Sequence, residues 1–401
     1  TISGWRLKEY FETARREHNL DLIAPSGDPS RALATPFTEL GLGDLSEALY
    51  EVESQSADAI TFALHRAGIT VRKTYSKSTE GRYGIELAIE IVNGTDRSIA
   101  PRVEVVWPAQ SRTLRDFSEL ALIVVADGQA ERQPVAGLGQ PGMLDRFFGD
   151  GKAEAAEPVR SVEWAGIDLS YFAGVVSAQD GEAAEALFVP LEKGHSGAVR
   201  LMQRPQGIAA RAKLSRHYAT FVGPKEPDLL KQLGGSLPAL INSGYSWVAP
   251  LTSFFGWALH LLHDFVPNYG LAIILITVLV RLGTWPIMAK QMKSAERMRE
   301  LMPRIKEIQE KHKDDKQRQS EETFKLYRET GVNFLGGCLP MVLQLPVFIG
   351  LFYALQSSID LRHAPFVWWI NDLSSPATVF TVPGIDFPVR LLAILMGASM
   401  Y

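Results

Sequence analysis

A single arginine lies inside the most apolar stretch of this sequence. Arg281 follows the uncharged run LAIILITVLV and is the only charged residue between Tyr269 and Pro286. A guanidinium at the centre of a membrane costs about 2.5 to 3.5 kcal/mol on insertion scales. Thr277 lies one helical turn earlier, and Gln344 adds a polar group to a second apolar run. Together they predict a hydrated cavity inside a helical bundle, with a snorkelling anchor as the alternative role for Arg281.

Two further motifs have plainer explanations. Gly137, Gly139 and Gly142 match a dinucleotide-binding glycine pattern, but Pro141 interrupts it and no strand leads directly into it. A chance match is therefore favoured. The tripeptide at 93–95 is a glycosylation sequon, and a tight turn explains it fully.

A histidine pair is the remaining candidate for chemistry. His260 and His263 are three residues apart with Asp264 beside them, but no third metal ligand is apparent. Polar side chains on a helix at the membrane surface are the favoured interpretation. The sequence has no nucleophile-elbow, zinc-protease or phosphate-loop motif. We therefore predict no enzyme, no cofactor and no metal.

The overall composition averages two unlike parts. The 401 residues are 46% hydrophobic and 21% charged, with a formal net charge of −4. A balance so near neutrality argues against specific nucleic-acid binding, which needs a concentrated basic surface. The single cysteine, Cys338, allows no intrachain disulfide. Polar and apolar residues mix up to about residue 244, and long apolar runs follow.

The first part alternates like β-structure. Ile85, Leu87, Ile89 and Ile91 have period two. Residues 137–156 are rich in glycine and alanine and predict a mobile loop. Successive strands without intervening helices predict a β-sandwich. The other predicted strands are 69–75, 103–107, 120–125, 169–176, 186–189, 199–202 and 209–220.

The second part predicts helices in and on a membrane. Residues 247–266 are polar near their end and predict an interfacial helix. The runs 269–286 and 333–361 predict two spans, and a third begins near Val389 but has too few residues by Tyr401. Because the start also lacks a Met and a leader, we expect that the sequence is cut at both ends.

Basic residues predict the orientation. Lysines and arginines crowd the segment between the first two spans, which places that segment in the cytoplasm and the β-domain outside. Polar residues at 312–316 divide the segment into a predicted helical hairpin. Its exposed charge predicts that the tip of the hairpin is a docking site for a partner. An apolar seam is predicted at Met288, Met292, Ala295, Met302, Ile305 and Ile308, and the docking residues at Lys311, Lys313, Asp314, Asp315 and Lys316.

The sequence resembles the YidC/Oxa/Alb family of membrane protein insertases. The resemblance is carried by ITVLVRL around Arg281, by AERMRELMPRIKEI and by LRHAPFVWWINDLSSP. The pattern G-G-C-x-P-x-x-x-Q-x-P-x-F, from Gly336 to Phe348, is its most specific part. The first half is similar to the family's outer domain more loosely, through WAGIDLSYFAGVV and ATFVGPKEPDLL.

The resemblance implies a multi-pass protein of the bacterial inner membrane with a β-supersandwich periplasmic domain. It implies a groove open to cytoplasm and lipid, with Arg281, Thr277 and Phe348 at groove and substrate-contact positions, to which we add Gln344. The implied activity is that of an insertase and chaperone for nascent membrane proteins in the lipid bilayer. It would work alone or with the Sec translocon, and the hairpin would meet the ribosome and targeting machinery.

The predicted fold class is a multidomain membrane protein, with a β-supersandwich domain followed by an α-helical transmembrane bundle and a cytoplasmic hairpin. Two alternatives remain open: a membrane-anchored periplasmic carbohydrate-binding domain, and a transporter subunit. The predicted order is a β-domain at 1–245, an interfacial helix at 246–267, a span at 268–286, the hairpin at 287–331, a span at 332–361, a periplasmic loop at 362–388 and the start of a span at 389–401.

Overall fold

The computed structural model divides the chain into two compact units, Thr1–Asn242 and Ser243–Tyr401. The predicted mobile loop and glycine motif fall largely outside its described residues. The unit boundary lies slightly before the predicted domain boundary at 245. The structure describes residues 1–23, 31–78, 81, 83–110, 119–138, 157–181, 183–192, 195–313, 315–330, 339–376, 378–382 and 387–399.

Unit 1 consists mainly of antiparallel β-strands. Its main sheet has the order β3-β4-β5-β6-β14-β11-β10-β12-β13-β7, with β8 paired to β10 and β9 paired to β8. The strands are β1 Arg6–Phe11, β2 Asn19–Asp21, β3 Glu51–Gln55, β4 Ala59–Arg66, β5 Ile69–Lys77, β6 Ile85–Asn93, β7 Glu104–Gln110, β8 Ala121–Ala126, β9 Gln129–Pro134, β10 Val159–Asp168, β11 Phe172–Ala178, β12 Ala184–Glu192, β13 Ser196–Gln203 and β14 Lys213–Pro224.

Strand β10 is the branch point of this sheet. Its first half pairs with β12, and its second half pairs with both β11 and β8. A helix, α1 (Pro227–Leu233), and the turn Leu237–Leu240 then cover one apolar face of the sheet. Unit 1 is therefore a large β-sandwich region, as the sequence predicts.

The alternation in β6 is confirmed, because Leu87, Ile89 and Ile91 are at most 1% exposed. The strand predicted at 169–176 begins later, at Phe172. Residues 169–171 instead form the turn between β10 and β11, closed by the bond from the Leu169 N–H to the Phe172 carbonyl at 2.9 Å. Asn93 of the sequon is fully buried, and its amide donates to the carbonyls of neighbouring loops, which agrees with the turn interpretation.

A buried ion cluster joins the sheet to the end of unit 1. Asp168 accepts hydrogen bonds from Lys225 Nζ at 2.9 Å and from Arg132 Nε at 2.7 Å. Arg132 also donates to the carbonyls of Ala239 and Leu240. Burial lowers the pKa of Lys225, and the Asp168 carboxylate opposes that shift. The cluster therefore ties β9 and β10 to the segment that follows β14.

Unit 2 is helical, with a short strand pair. The helix α3 continues through Pro286 and Pro303, so no helix break separates the predicted span from the predicted hairpin. Among the described residues, one helical segment, Tyr269–Pro286, is long and apolar enough to cross a membrane. The elements are α2 Ala249–Phe265, α3 Tyr269–Lys311, α4 Lys316–Thr330, α5 Leu339–Ser357, β15 Phe380–Val382, β16 Phe387–Val389 and α6 Leu391–Ser399.

Three helices of unit 2 pack around one apolar cluster. Phe255 of α2, Ile276 of α3 and Ala354 of α5 are each at most 5% exposed and form its centre. Farther along α3, Leu301 and Ile305 are buried against α4. The predicted seam residue Met302 is 46% exposed, so its assignment to the seam is wrong. Leu301 and Ile305 share one helix face, whereas Met302 is rotated by about 100° from Leu301.

A second buried lysine in unit 1 lies against aromatic rings. Lys73 of β5 is 3% exposed, and its ammonium lies 4.3 Å from the Tyr50 ring centroid and 5.6 Å from that of Phe37. Burial lowers the pKa of Lys73 to about 7, and the charge of Asp44 opposes the shift. The unfolded chain therefore keeps a proton that the folded chain loses between about pH 7 and the ordinary lysine pKa near 10.5. Stability must rise with pH across that window.

We expect Lys73→Met to stabilise unit 1 at pH 7 by about 1 to 3 kcal/mol, because the desolvation cost disappears while the cation–π contacts are lost. The variant should also lose most of the rise in stability between pH 7 and 9. Urea unfolding of residues 1–242 at both pH values measures this. Lys77→Met, on the same strand with 70% side-chain exposure, is the control and should keep the rise. An unchanged slope in Lys73→Met would contradict the assignment.

We expect Asp168→Asn to destabilise unit 1 by about 3 kcal/mol or more, because Lys225 and Arg132 lose the carboxylate that both of them contact. Asp58→Asn removes a carboxylate from an ion pair whose side chains are 74% and 70% exposed, so it should cost about 1 kcal/mol or less. Chemical denaturation of both variants measures the difference. Equal effects would show that the buried cluster contributes no more than a surface pair.

Candidate functional site

Arg281 lies on a polar stripe of α3. Thr277 and Thr284 are four residues before it and three residues after it, so the three side chains share one helix face. The hydroxyl of Thr277 donates to the Ile273 carbonyl at 2.7 Å, and that of Thr284 donates to the Val280 carbonyl at 2.8 Å. Both hydroxyls are thus satisfied by their own helix.

The Arg281 guanidinium has no such partner among the described residues. Its side chain is exposed, and no described residue forms an ion pair or side-chain hydrogen bond with it. The face of α3 that packs in unit 2 is formed by Ile276 and Val280. Arg281 is one residue beyond Val280 and is rotated by about 100° from that face. The stripe therefore borders the packed core and presents up to five N–H donors outside it.

The two site residues predicted on α5 form a second pair. Phe348 is 63% exposed, and its ring is stacked on Phe352 at 6.3 Å between centroids. Gln344 lies one turn earlier and is half-buried. Neither forms a hydrogen bond, ion pair or cation–π contact with Arg281 within the described part of the chain. The structure thus gives two pairs whose members are one helical turn apart, Thr277 with Arg281 and Gln344 with Phe348, and no hydrogen bond, ion pair or cation–π contact joins these four residues across the helices.

Thr284 is the residue that the sequence argument missed. It extends the polar stripe by one turn toward Trp285 and Pro286. The spacing T-x-x-x-R-x-x-T, from 277 to 284, was the available signal. The helical repeat places all three of its polar residues on one face.

The histidines of α2 have structural contacts. His260 Nε2 lies 3.5 Å from Asp360 Oδ2, and the His263 ring stacks on Tyr269 with centroids 3.8 Å apart. Each contact ties α2 to a neighbouring part of unit 2. Where the structure describes the chain, no group of three or more potential ligands could hold a metal ion.

The predicted docking tip lies between α3 and α4. Lys311, Lys313 and Lys316 are exposed. Asp315 accepts a hydrogen bond from the Arg318 N–H at 3.0 Å, which caps the start of α4. Asp314 lies outside the described residues. Asp315 therefore has a structural role at the tip in addition to its predicted one.

Comparison with known proteins covers both units. The family model for the YidC periplasmic domain matches residues 1–258, and that for the 60Kd inner membrane protein matches residues 261–401. The membrane protein insertase YidC of Pelobacter propionicus is 30% identical over 98% of this chain and 67% of its own length. Those of Geobacter sulfurreducens and Geobacter metallireducens are 30% and 31% identical, over 100% and 98% of this chain and 72% and 70% of their own lengths.

Solved structures are much more distant. A putative aldose 1-epimerase from Escherichia coli K12 is 10% identical with a TM-score of 0.31, over 44% of this chain and 68% of its own. A galactose mutarotase-like protein from Lactobacillus casei is 12% identical with a TM-score of 0.33, over 51% of this chain and 90% of its own. Similarity this weak gives no support to the carbohydrate-binding alternative.

Two consecutive family models and relatives that span nearly the whole chain agree with one another. They support an inner-membrane protein with a periplasmic domain and an insertase that is not a catalytic enzyme, and they do not favour a transporter subunit. The chain belongs to the YidC family of membrane protein insertases.

Proposed function

We propose that this protein inserts nascent membrane proteins through a hydrophilic groove that includes Thr277, Arg281 and Gln344. The observation that carries the proposal is the exposed Arg281 guanidinium, which pairs with no described residue and lies within the one described segment suited to cross a membrane. A solvated charge at this depth would keep water in the groove. Phe348, exposed on α5, would contact the apolar part of the substrate as it moves into lipid.

The energetic argument rests on desolvation. A peptide group or hydroxyl that enters hydrocarbon without a hydrogen-bond partner costs several kcal/mol, and an ionised group costs more. Donors in a hydrated groove lower that cost for the polar segments of a substrate. A positive charge also attracts acidic segments, so substrates with acidic translocated tails should depend on Arg281 the most.

We also propose a multi-pass arrangement in which 332–361 forms a second span, and in which α4 and the part of α3 that follows Pro286 lie in the cytoplasm. There their exposed lysines would meet the ribosome and targeting machinery. The protein would act alone or beside the Sec translocon and would assist folding as a chaperone. These partners are proposed from the basic surface at the tip and from the positive-inside rule.

We expect Arg281→Ala to reduce insertion of single-span substrates with acidic translocated tails by about tenfold, the effect of about 1.4 kcal/mol on a barrier. Thermal stability in detergent should not fall, because the substitution removes a charge that pairs with no described residue. Arg281→Lys should retain much of the activity, since it keeps the charge but loses the planar fork. Protease protection in the full-length protein measures insertion.

Arg304→Ala is the matched control, because it removes an exposed arginine from α3 outside the apolar segment. It should leave insertion unchanged. Normal insertion by Arg281→Ala would favour the snorkelling anchor instead. A parallel loss of insertion and stability would assign Arg281 a structural role.

We expect Lys313→Glu combined with Lys316→Glu to reduce co-translational insertion severalfold, because reversed charges repel an anionic ribosome surface. Asp315 is kept so that α4 retains its cap. The control is Lys306→Glu with Lys325→Glu, which makes the same charge change on exposed residues away from the tip. The measurement is the fraction of ribosome-bound nascent chains that each double variant inserts during translation. Equal behaviour of both double variants would argue against docking at the tip.

A further inference from the structure

An exposed tryptophan lies in a turn of the segment that follows α5. Trp368 is 86% exposed, and its backbone has φ of 53°. A bulky side chain is disfavoured in that left-handed region, so the surrounding structure must hold it there. The Phe366 N–H donates to the Ile370 carbonyl at 2.9 Å, and the Ile370 N–H donates to the Val367 carbonyl at 3.1 Å. These two bonds fix the turn that displays Trp368.

The base of the turn is also well determined. Asp372 Oδ1 accepts hydrogen bonds from the His363 N–H and from the N–H and hydroxyl of Ser374. Ile370 and Leu361 are 8% and 5% exposed. The indole of Trp368 is therefore presented on a packed base. Its ring stacks on Trp369, with 5.6 Å between centroids.

This turn is bonded to the first residues of the membrane-crossing segment. Asn268 caps α3 by accepting the Leu271 N–H at 3.2 Å, and its amide donates to the Phe366 carbonyl at 3.3 Å. The Phe366 ring lies so close to the Cα of Gly270 that a side chain there would overlap it. The turn that displays Trp368 must therefore lie at the level where α3 enters the membrane.

Other exposed aromatic rings lie near the two ends of the apolar segment Tyr269–Pro286. Phe265, the last residue of α2, is 77% exposed and comes three residues before the cap of α3. Trp285, 69% exposed, lies near the other end of the apolar segment. It is about 24 Å along the helix from Tyr269. Tryptophan is enriched at both membrane–water interfaces, where its ring lies in the headgroup layer.

We propose that Trp368, with the neighbouring Val367, inserts into the headgroup layer of the periplasmic leaflet as an interfacial anchor. The partner is the lipid surface, since residues 364–371 contain no charge and the turn is fixed to the entry point of α3. Interfacial anchors set the tilt and rotation of a span. Trp368 would thereby fix the depth of Arg281. This inference rests on the proposed crossing of the membrane by Tyr269–Pro286.

The test uses full-length protein in phosphatidylethanolamine–phosphatidylglycerol liposomes that contain lipids brominated either near the headgroup or deep in the acyl chains. In a Trp369→Phe background, which removes the ring stacked on Trp368, subtracting the emission of the variant that also carries Trp368→Phe isolates this one indole. We expect the difference emission to be blue-shifted, strongly quenched by shallow bromines and weakly quenched by deep ones. Trp107→Phe is the control, because Trp107 is 1% exposed inside the sheet and its indole cannot reach lipid.

Water-like emission without lipid quenching would overturn the proposal. The indole would then lie in water in liposomes, and this outcome includes an indole that a protein partner covers in native membranes. Stronger quenching by deep bromines would overturn it too, because the residue would then lie in the hydrocarbon core. The insertion assay with Arg281→Ala is scored separately. Loss of the groove role with intact shallow quenching would leave the anchor standing, so the two proposals can fail independently.

Discussion

Desolvation of charge is the constraint on which both units of this protein depend. In unit 1, Asp168 faces two cations, and the three groups are held by short hydrogen bonds and carbonyl contacts. Lys73 lies against the rings of Tyr50 and Phe37, and its burial lowers its pKa to about 7. Arg281 is exposed, and no described residue forms an ion pair or side-chain hydrogen bond with its guanidinium. In the proposed groove, water would solvate this charge.

The long helix α3 links the candidate groove to the charged tip. It runs for 43 residues without a break, which is about 65 Å of helix. The two prolines each remove a backbone donor, yet the chain remains helical on both sides of them. Because of this continuity, the depth of Arg281 and the position of the tip are not independent. A change in the tilt of α3 would move both.

The branch at β10 has a comparable role in unit 1. A strand that pairs with three others must satisfy two different registers along its length. Pairing with β12 ends at Val162, and the half of β10 that pairs with both β8 and β11 ends at Asp168, in the buried ion cluster. The cluster then reaches the final turn of the unit through Arg132. The polar network and the sheet topology are thus parts of one arrangement.

Local patterns in the sequence determined the classes of structure. Alternation in β6 predicted its buried face, the apolar run with one arginine predicted the candidate span, and the polar residues at 312–316 predicted the end of α3. The motif from Gly336 to Phe348 indicated the family. Each of these signals depends on residues close together in the chain, where a period of two or 3.6 is enough to define a face.

Contacts between distant residues were decided by the tertiary structure. Strand β10 was missed because its exposed, partly charged first half shows no clear alternation. Met302 was assigned to the wrong face because the seam depends on which side of α3 meets α4. The Asp168 cluster joins residues up to 108 positions apart. The attachment of the Trp368 turn to the cap of α3 spans 98 positions. No local pattern encodes such pairings, because their free energy exists only once packing has brought the groups together and removed the water between them.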